Sequence, residues 1–234
     1  MFKKIALFLF PILVVASNNN YSGLIVEPGM NVIIKSAANN KFQLSSQPKA
    51  NITTSSSTIL LKPVVFMGGK HASAEISLAN PLSYLEVRGD SNVIFDNART
   101  SKLHIVNSGT GNVSLKGNID IAAIDLTNSG SVRAIWVNAK DLVVRSSYGI
   151  IELAGKCNSL KVMGDKDAYF NGEYLRCNNT WVRAKDNASI KVKPIRQFKV
   201  WATQNSKVYY TKMLDFLKRD TLSLDDSLVI HTDL

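Results

Sequence analysis

Between Leu85 and Tyr210 the chain repeats one short pattern seven times, and a repeat of this period admits few folds. Each repeat is an apolar pair split by one outward residue, then a polar turn, then a second apolar pair. The first pairs are Leu85/Val87, Leu103/Ile105, Ile124/Leu126, Leu142/Val144, Leu160/Val162, Thr180/Val182 and Phe198/Val200. They start 18, 21, 18, 18, 20 and 18 residues apart. The second pairs are Val93/Phe95, Val113/Leu115, Val132/Ala134, Ile151/Leu153, Ala168/Phe170, Ile190/Val192 and Val208/Tyr210. Alternation with period two means strands. Turn-forming runs such as Asn107-Ser108-Gly109-Thr110-Gly111-Asn112 separate them.

One such rung cannot stand alone. Its few buried side chains gain about 1.5–3 kcal/mol each, while ordering its backbone costs about 1–2 kcal/mol per residue. Stacked parallel rungs, about 4.8 Å apart, share one continuous core. The expected architecture is all-β, a right-handed parallel β-helix. A left-handed hexapeptide solenoid requires an apolar residue every six, and from Leu160 that walk meets Lys166 and Gly172. It is rejected on that ground.

The amino terminus reads differently. Lys3 and Lys4 precede an apolar run from Ile5 to Val15, and Val15-Ala16-Ser17 is a small-residue cleavage pattern. Residues 1–17 are expected to be a signal peptide, too short to span a bilayer, with a mature chain from near Asn18. No cysteine follows the cleavage site, so lipid attachment there is not expected. Losing Lys3 and Lys4 lowers the formal charge from +10 to +8. An exported basic protein meets acidic polysaccharide or another anionic envelope component sooner than nucleic acid, and scattered surface charge for solubility is the competing reading. The expected location is the periplasm or the cell surface of a bacterium.

Cys157 and Cys177 lie 20 residues apart, each three residues before the start of a first pair. Stacking would bring them within disulfide range in an oxidising compartment. Two free buried thiols in a ladder remain the alternative, which thiol titration decides.

The segment from Leu24 to Leu78 is strand-rich with a looser period, interrupted at Pro28-Gly29, Asn39-Asn40, Ser45–Pro48 and Gly68-Gly69. No low-complexity linker divides it from the repeats, so residues 22–210 read as one domain. Its opening run LIVEPGMNVIIKSAANNKFQLSSQPKANITTSSSTILLKP resembles the start of the head-GIN family of autotransporter adhesin head domains. ISLANPLSYLEVRGDSNVIF (Ile76 to Phe95) is similar to that family's entry into its solenoid, and NSGTGNVSLKG (Asn107 to Gly117) to its recurring turn. The resemblance implies a right-handed parallel β-helix in an envelope or surface protein of undefined activity. This chain departs from it where later turns lose glycine, at Asp165–Asp167 and Lys185–Asn187. A translocating barrel is not expected after Tyr210.

Residues 211–234 are expected to form a short capping helix and a tail. Met213, Leu214, Phe216 and Leu217 share one helical face, and an open solenoid end needs cover. The tail from Ser223 carries no assignment.

No catalytic residue, metal site or cofactor is expected. His71, His104 and His231 have no ligand spacing, and the aspartate pairs lack the flanking elements of β-helix hydrolases. Arg88-Gly89-Asp90 spells an integrin tripeptide but sits at a turn. The outward positions Arg88, Arg145, Lys161, Arg183 and Lys199, with Trp181 and Trp201, would place cations beside flat aromatic faces on one sheet. Such a surface fits an anionic glycan, against the plain reading of an exterior strand face rich in β-formers. The leading expectation is therefore a non-catalytic, adhesin-like envelope module. The alternatives are a polysaccharide lyase or hydrolase on the same scaffold, and a purely structural periplasmic protein.

Overall fold

The computed structural model describes residues 12–14, 19–45, 48–64, 70–211 and 218–232. Its first strands are β1 (Ile12–Val14), β2 (Gly23–Val26), β3 (Met30–Ser36), β4 (Lys41–Leu44), β5 (Ala50–Thr54) and β6 (Thr58–Pro63). There follow β7 (Ala72–Leu78), β8 (Leu82–Val87), β9 (Asn92–Asp96), β10 (Thr100–Asn107), β11 (Asn112–Ile119) and β12 (Ile121–Leu126). Four long strands come next: β13 (Ser131–Ser146), β14 (Ile150–Gly164), β15 (Tyr169–Ala184) and β16 (Ser189–Ala202). The last are β17 (Lys207–Tyr210), β18 (Lys218–Ser223) and β19 (Leu228–His231).

From β8 onward every pairing is parallel, which makes the repeat region a β-solenoid. The long strands are each most of a coil. In β13 the inward residues are Val132 and Ala134, then Val137 and Ala139, then Leu142 and Val144. Consecutive outward residues, Ile135-Trp136 and Lys140-Asp141, break the alternation twice. Each break is a corner, and the coil has a back wall (131–135), a short wall (137–140) and a front wall (142–146).

The register corrects the expected alignment at three places. Ile105, not Leu103, lies beside Leu85, and Val144, not Leu142, lies beside Ile124. On the back wall Phe170, not Ala168, lies beside Ile151. A two-residue slip keeps the same side chains inward, so alternation cannot detect it. What hid the true register is that small or polar residues occupy core ladder positions. Asn107 stacks on Val87, Ser146 on Leu126, and Gly172 faces Val192. Asn107 is fully buried and satisfied: its Nδ2 donates to the Gly111 carbonyl at 3.0 Å, and its Oδ1 accepts from the Gly109 amide at 3.1 Å. Gly172 leaves the space that the Phe170 ring fills.

The glycine-free turns keep the geometry that glycine favours. Asp165–Ala168, Lys185–Ala188, Thr203–Ser206 and Leu224–Ser227 each close with a backbone bond from the fourth residue's amide to the first residue's carbonyl. Lys166, Asp186, Gln204, Asn205 and Asp225 all adopt positive φ there, and the fourth residue of each turn is buried.

The amino-terminal coils are not stacked in chain order. β2 lies between β6 and β8, and β3 lies between β7 and β9, all parallel. The segment that comes first in the domain is thus the second layer, and the later β6–β7 coil is outside it. Antiparallel partners then end the stack: β5 on β6, and β4 on β7. β5 had no counterpart in the sequence pattern. Ile12–Val14, from within the expected signal peptide, pairs antiparallel with Phe42–Leu44.

At the other end, residues 212–217 of the expected capping helix lie outside the described residues. Lys218 and Arg219, expected to be its last turn, instead open a strand. β18 pairs parallel with β16 and β19 with β17, so the tail forms one more rung. Its register places Arg219, Thr221 and Ser223 over Phe198, Val200 and Ala202. Polar residues at core positions concealed the rung from a hydrophobic pattern, and they suit a layer with no layer beyond it among the described residues.

Candidate functional site

The front wall carries two outward columns built by the register of β12 to β16. One runs Lys161, Trp181, Lys199, and the next runs Asp125, Arg145, Met163, Arg183, Trp201. Of the seven residues expected on a shared surface, these columns unite six. Within them the Lys161 ammonium sits 4.6 Å from the Trp181 ring centre, and the Arg183 guanidinium sits 4.8 Å from that of Trp201. A cation held on an indole face is pre-positioned, so less side-chain entropy remains to be lost on binding an anion.

Beside these columns runs a groove of about 430 Å³, lined by Arg145, Arg183 and Lys185 together with Asp125, Met163 and Asp165. Asp125 is already committed: it accepts from Arg145 Nη1 at 3.0 Å and meets His104 Nε2 at 2.6 Å. Asp165 Oδ1 is buried without a hydrogen-bond partner. The pattern of outward cations and aromatics on a single strand does not single out Asp125, Asp165 or Lys185 as members of this groove. They follow a core pair or lie inside one, and only the stacking shows that they gather.

Arg88 stands apart from this surface. It lies three rungs away from Arg145, after Val87, and is held in a carboxylate clamp. Its Nε donates to Glu86 at 2.6 Å and its Nη1 to Glu27 at 2.6 Å, while Tyr84 Oη donates to the other Glu86 oxygen at 2.9 Å. The hydrogen bond from Arg88, ahead of the opposing effect of burial, holds the Glu86 carboxyl below its ordinary value. Burial, then the bond to Glu86, pushes the Tyr84 hydroxyl up. The same turn engages Asp90, whose Oδ1 accepts from the Gly29 amide at 2.8 Å and whose Oδ2 meets His71 Nε2 at 3.1 Å. Both charged ends of the Arg88-Gly89-Asp90 tripeptide are therefore tied into the fold.

Cys157 and Cys177 are in register on β14 and β15 and form a disulfide, with Cα atoms 4.6 Å apart. Asn178 Nδ2 donates to Asn158 Oδ1 at 3.1 Å on the outside of the same rungs. The bond resolves the two readings of the cysteines, because parallel in-register stacking sets the Cα spacing that a disulfide needs.

The class defined by this fold is a parallel β-solenoid with antiparallel cover at its amino-terminal end and a cation- and indole-bearing front wall. Residues 39–147 match the family described as "Putative auto-transporter adhesin, head GIN domain". No curated protein matches the chain. Among solved structures it is similar to a "putative adhesin" from Parabacteroides merdae ATCC 43184, at 13% identity, TM-score 0.77 and 95% coverage of both chains. A "putative lipid binding protein" from Parabacteroides distasonis ATCC 8503 superposes at 12% identity and TM-score 0.76, over 95% of this chain and 96% of that one. A "putative adhesin" from Bacteroides fragilis NCTC 9343 matches at 11% identity and TM-score 0.66, over 97% and 98%. Identities this low establish the shared fold.

Proposed function

We propose that the chain is an exported, non-catalytic binding module whose front wall holds an anionic polysaccharide of the cell envelope. The observation that carries this reading is the pair of cation-on-indole stacks, Lys161/Trp181 and Arg183/Trp201, on neighbouring positions of one outer face. Beside them Arg145 and Lys185 line the same groove as Arg183, where carboxylate or sulfate groups would meet charge-assisted donors and sugar rings the exposed aromatic edges. Export is supported by the charged, apolar, small-residue order of residues 1–17 and by the disulfide. Adhesin-like binding agrees with the description of the family that residues 39–147 match.

The test is retention of the purified protein on immobilised acidic polysaccharide. Trp181→Ala/Trp201→Ala should elute at clearly lower salt than the parent, and equal retention would remove the front wall from consideration. Incubation with a glycan panel, followed by assay for new reducing or unsaturated ends, addresses the lyase or hydrolase alternative, and any release would overturn the non-catalytic reading.

A further inference from the structure

A second surface, on a different wall, has the composition of a ligand site and takes no part in the front-wall reading. It lies at the corner between back wall and short wall. There Trp136 immediately precedes Val137, and Tyr174 immediately precedes Leu175. Val137, Gly155 and Leu175 are successive members of one core ladder, and Ala154 is in register with Tyr174. Trp136 lies in the register break between Ala134 and Val137, so Trp136, Ala154 and Tyr174 share the corner as the residues just before three members of that ladder.

These two rings are the most exposed large apolar side chains among the described residues, Trp136 at 66% and Tyr174 at 67%. Neither stacks on another ring or beneath a cation there, in contrast to Trp181 and Trp201. Trp136 also holds a backbone φ of 63°, a left-handed conformation that side chains of its size rarely adopt. A bulky, exposed residue in that conformation is a local cost of the fold without visible return in packing. Rungs are 4.6 Å apart at the neighbouring disulfide, so rings two rungs apart, about 9–10 Å, leave a slot floored by Ala154. A backbone separation of about 9–10 Å is what a saturated sugar ring between two aromatic side chains requires.

Next to the corner, on the short wall, Lys156, Arg176 and Lys193 stand in register on three consecutive strands. Like charges directly across a strand pair repel, and natural sheets compensate such positions with acidic neighbours. No ion pair engages any of the three among the described residues. The disulfide follows immediately, joining the residues after Lys156 and Arg176, and holds the two cation-bearing strands together against that repulsion.

We infer that the corner slot of Trp136, Ala154 and Tyr174, with the cation ladder of Lys156, Arg176 and Lys193, is a binding site for a single acidic polysaccharide chain. A sugar ring occupies the slot, and the carboxylate or sulfate groups of adjoining sugars meet the ladder. Aromatic rings bound the slot along the stack, so the chain leaves it across the strands, toward Lys156 and Arg176. Unstacked aromatic faces select a carbohydrate over a bare phosphate, and the unpaired cations select an acidic one over a neutral one.

The experiment titrates the intact, oxidised protein with size-defined polygalacturonate oligomers, reading tryptophan fluorescence and heat. Neutral dextran oligomers and inorganic phosphate serve as comparison ligands. Trp136→Ala/Tyr174→Ala should weaken polygalacturonate binding about tenfold or more, and Lys156→Gln/Arg176→Gln should weaken it while flattening its dependence on salt. All four side chains point to solvent, and unchanged circular dichroism and melting would show that the variants fold. Parental affinity in both corner variants overturns the inference, as does equally tight binding of dextran or of phosphate. Trp181→Ala/Trp201→Ala is measured in parallel. A loss confined to that variant overturns the corner site and leaves the front wall standing, whereas a loss confined to the corner variants does the reverse.

Discussion

Two residues show how single positions hold this solenoid in register. Gly109 stacks directly over Gly89 in the turn column, so a Cβ at 109 would run into the Gly89 backbone. Gly109→Ala should therefore destabilise the fold by about 1–3 kcal/mol, read as a lower midpoint in urea. Glu86 is the hub of the Arg88 clamp. Its carboxyl is held below the usual value in the folded chain, so its contribution is complete above the unfolded value of about 4.3 and is lost as pH falls through the lower folded value. Glu86→Gln should cost about 1 kcal/mol at neutral pH, near the low end for charge-assisted bonds because Arg88 is 41% exposed. The stability difference between parent and variant should shrink on acidification below about pH 4, which denaturation at a series of pH values measures. The clamp also explains why an outward arginine was a poor guide to the ligand face. Glu27 lies 61 residues from Arg88, and nothing local in the sequence announces that they meet.

At the scale of strands, stability resides in the contact of each rung with the next. The Cys157–Cys177 bond closes a loop of 20 residues between β14 and β15, and replacing both cysteines with serine should lower stability by about 3 kcal/mol. Chemical denaturation under oxidising conditions checks this, and the parent treated with reductant should approach the variant. Phe170 spans two ladder positions, its own and that of Gly172. Phe170→Ala should cost about 3–5 kcal/mol, because no neighbouring side chain fills both places. The stacking of the cysteines was legible from spacing, since equal offsets from successive apolar pairs imply it, and the structure decides for a bond over two free thiols. The Phe170 and Gly172 arrangement was not, because a buried glycine reads as a turn and an adjoining buried alanine reads as the missing pair member. The last rung escaped for a related reason: Arg219, Thr221 and Ser223 stand where the pattern demanded apolar residues, although the turn Leu224–Ser227 repeats the form of Thr203–Ser206.

For the whole molecule the decisive feature is the layering of the amino-terminal end. β2 and β3 have a parallel partner on both sides, whereas β18 and β19 have one pairing each among the described residues. Amide exchange should therefore be as slow at Leu24 and Val32 as in β10–β12, and much faster in β18–β19, by mass-resolved hydrogen exchange. A chain that stacked its coils in sequence order would instead fray at β2. Seen at this scale, the sequence alone determined that the protein is a stack of parallel strands, because period-two alternation recurring at a nearly constant interval leaves each rung an uncovered face that only another rung can bury. It also set Cys157 and Cys177 at equivalent positions of successive rungs. Which coil lies beside which, where the register slips by two, and which outward residues become neighbours were decided only by the tertiary structure. Alternation states which side of a strand faces the core and is blind to the identity of the layer above, which the fit of side-chain volumes between coils selects.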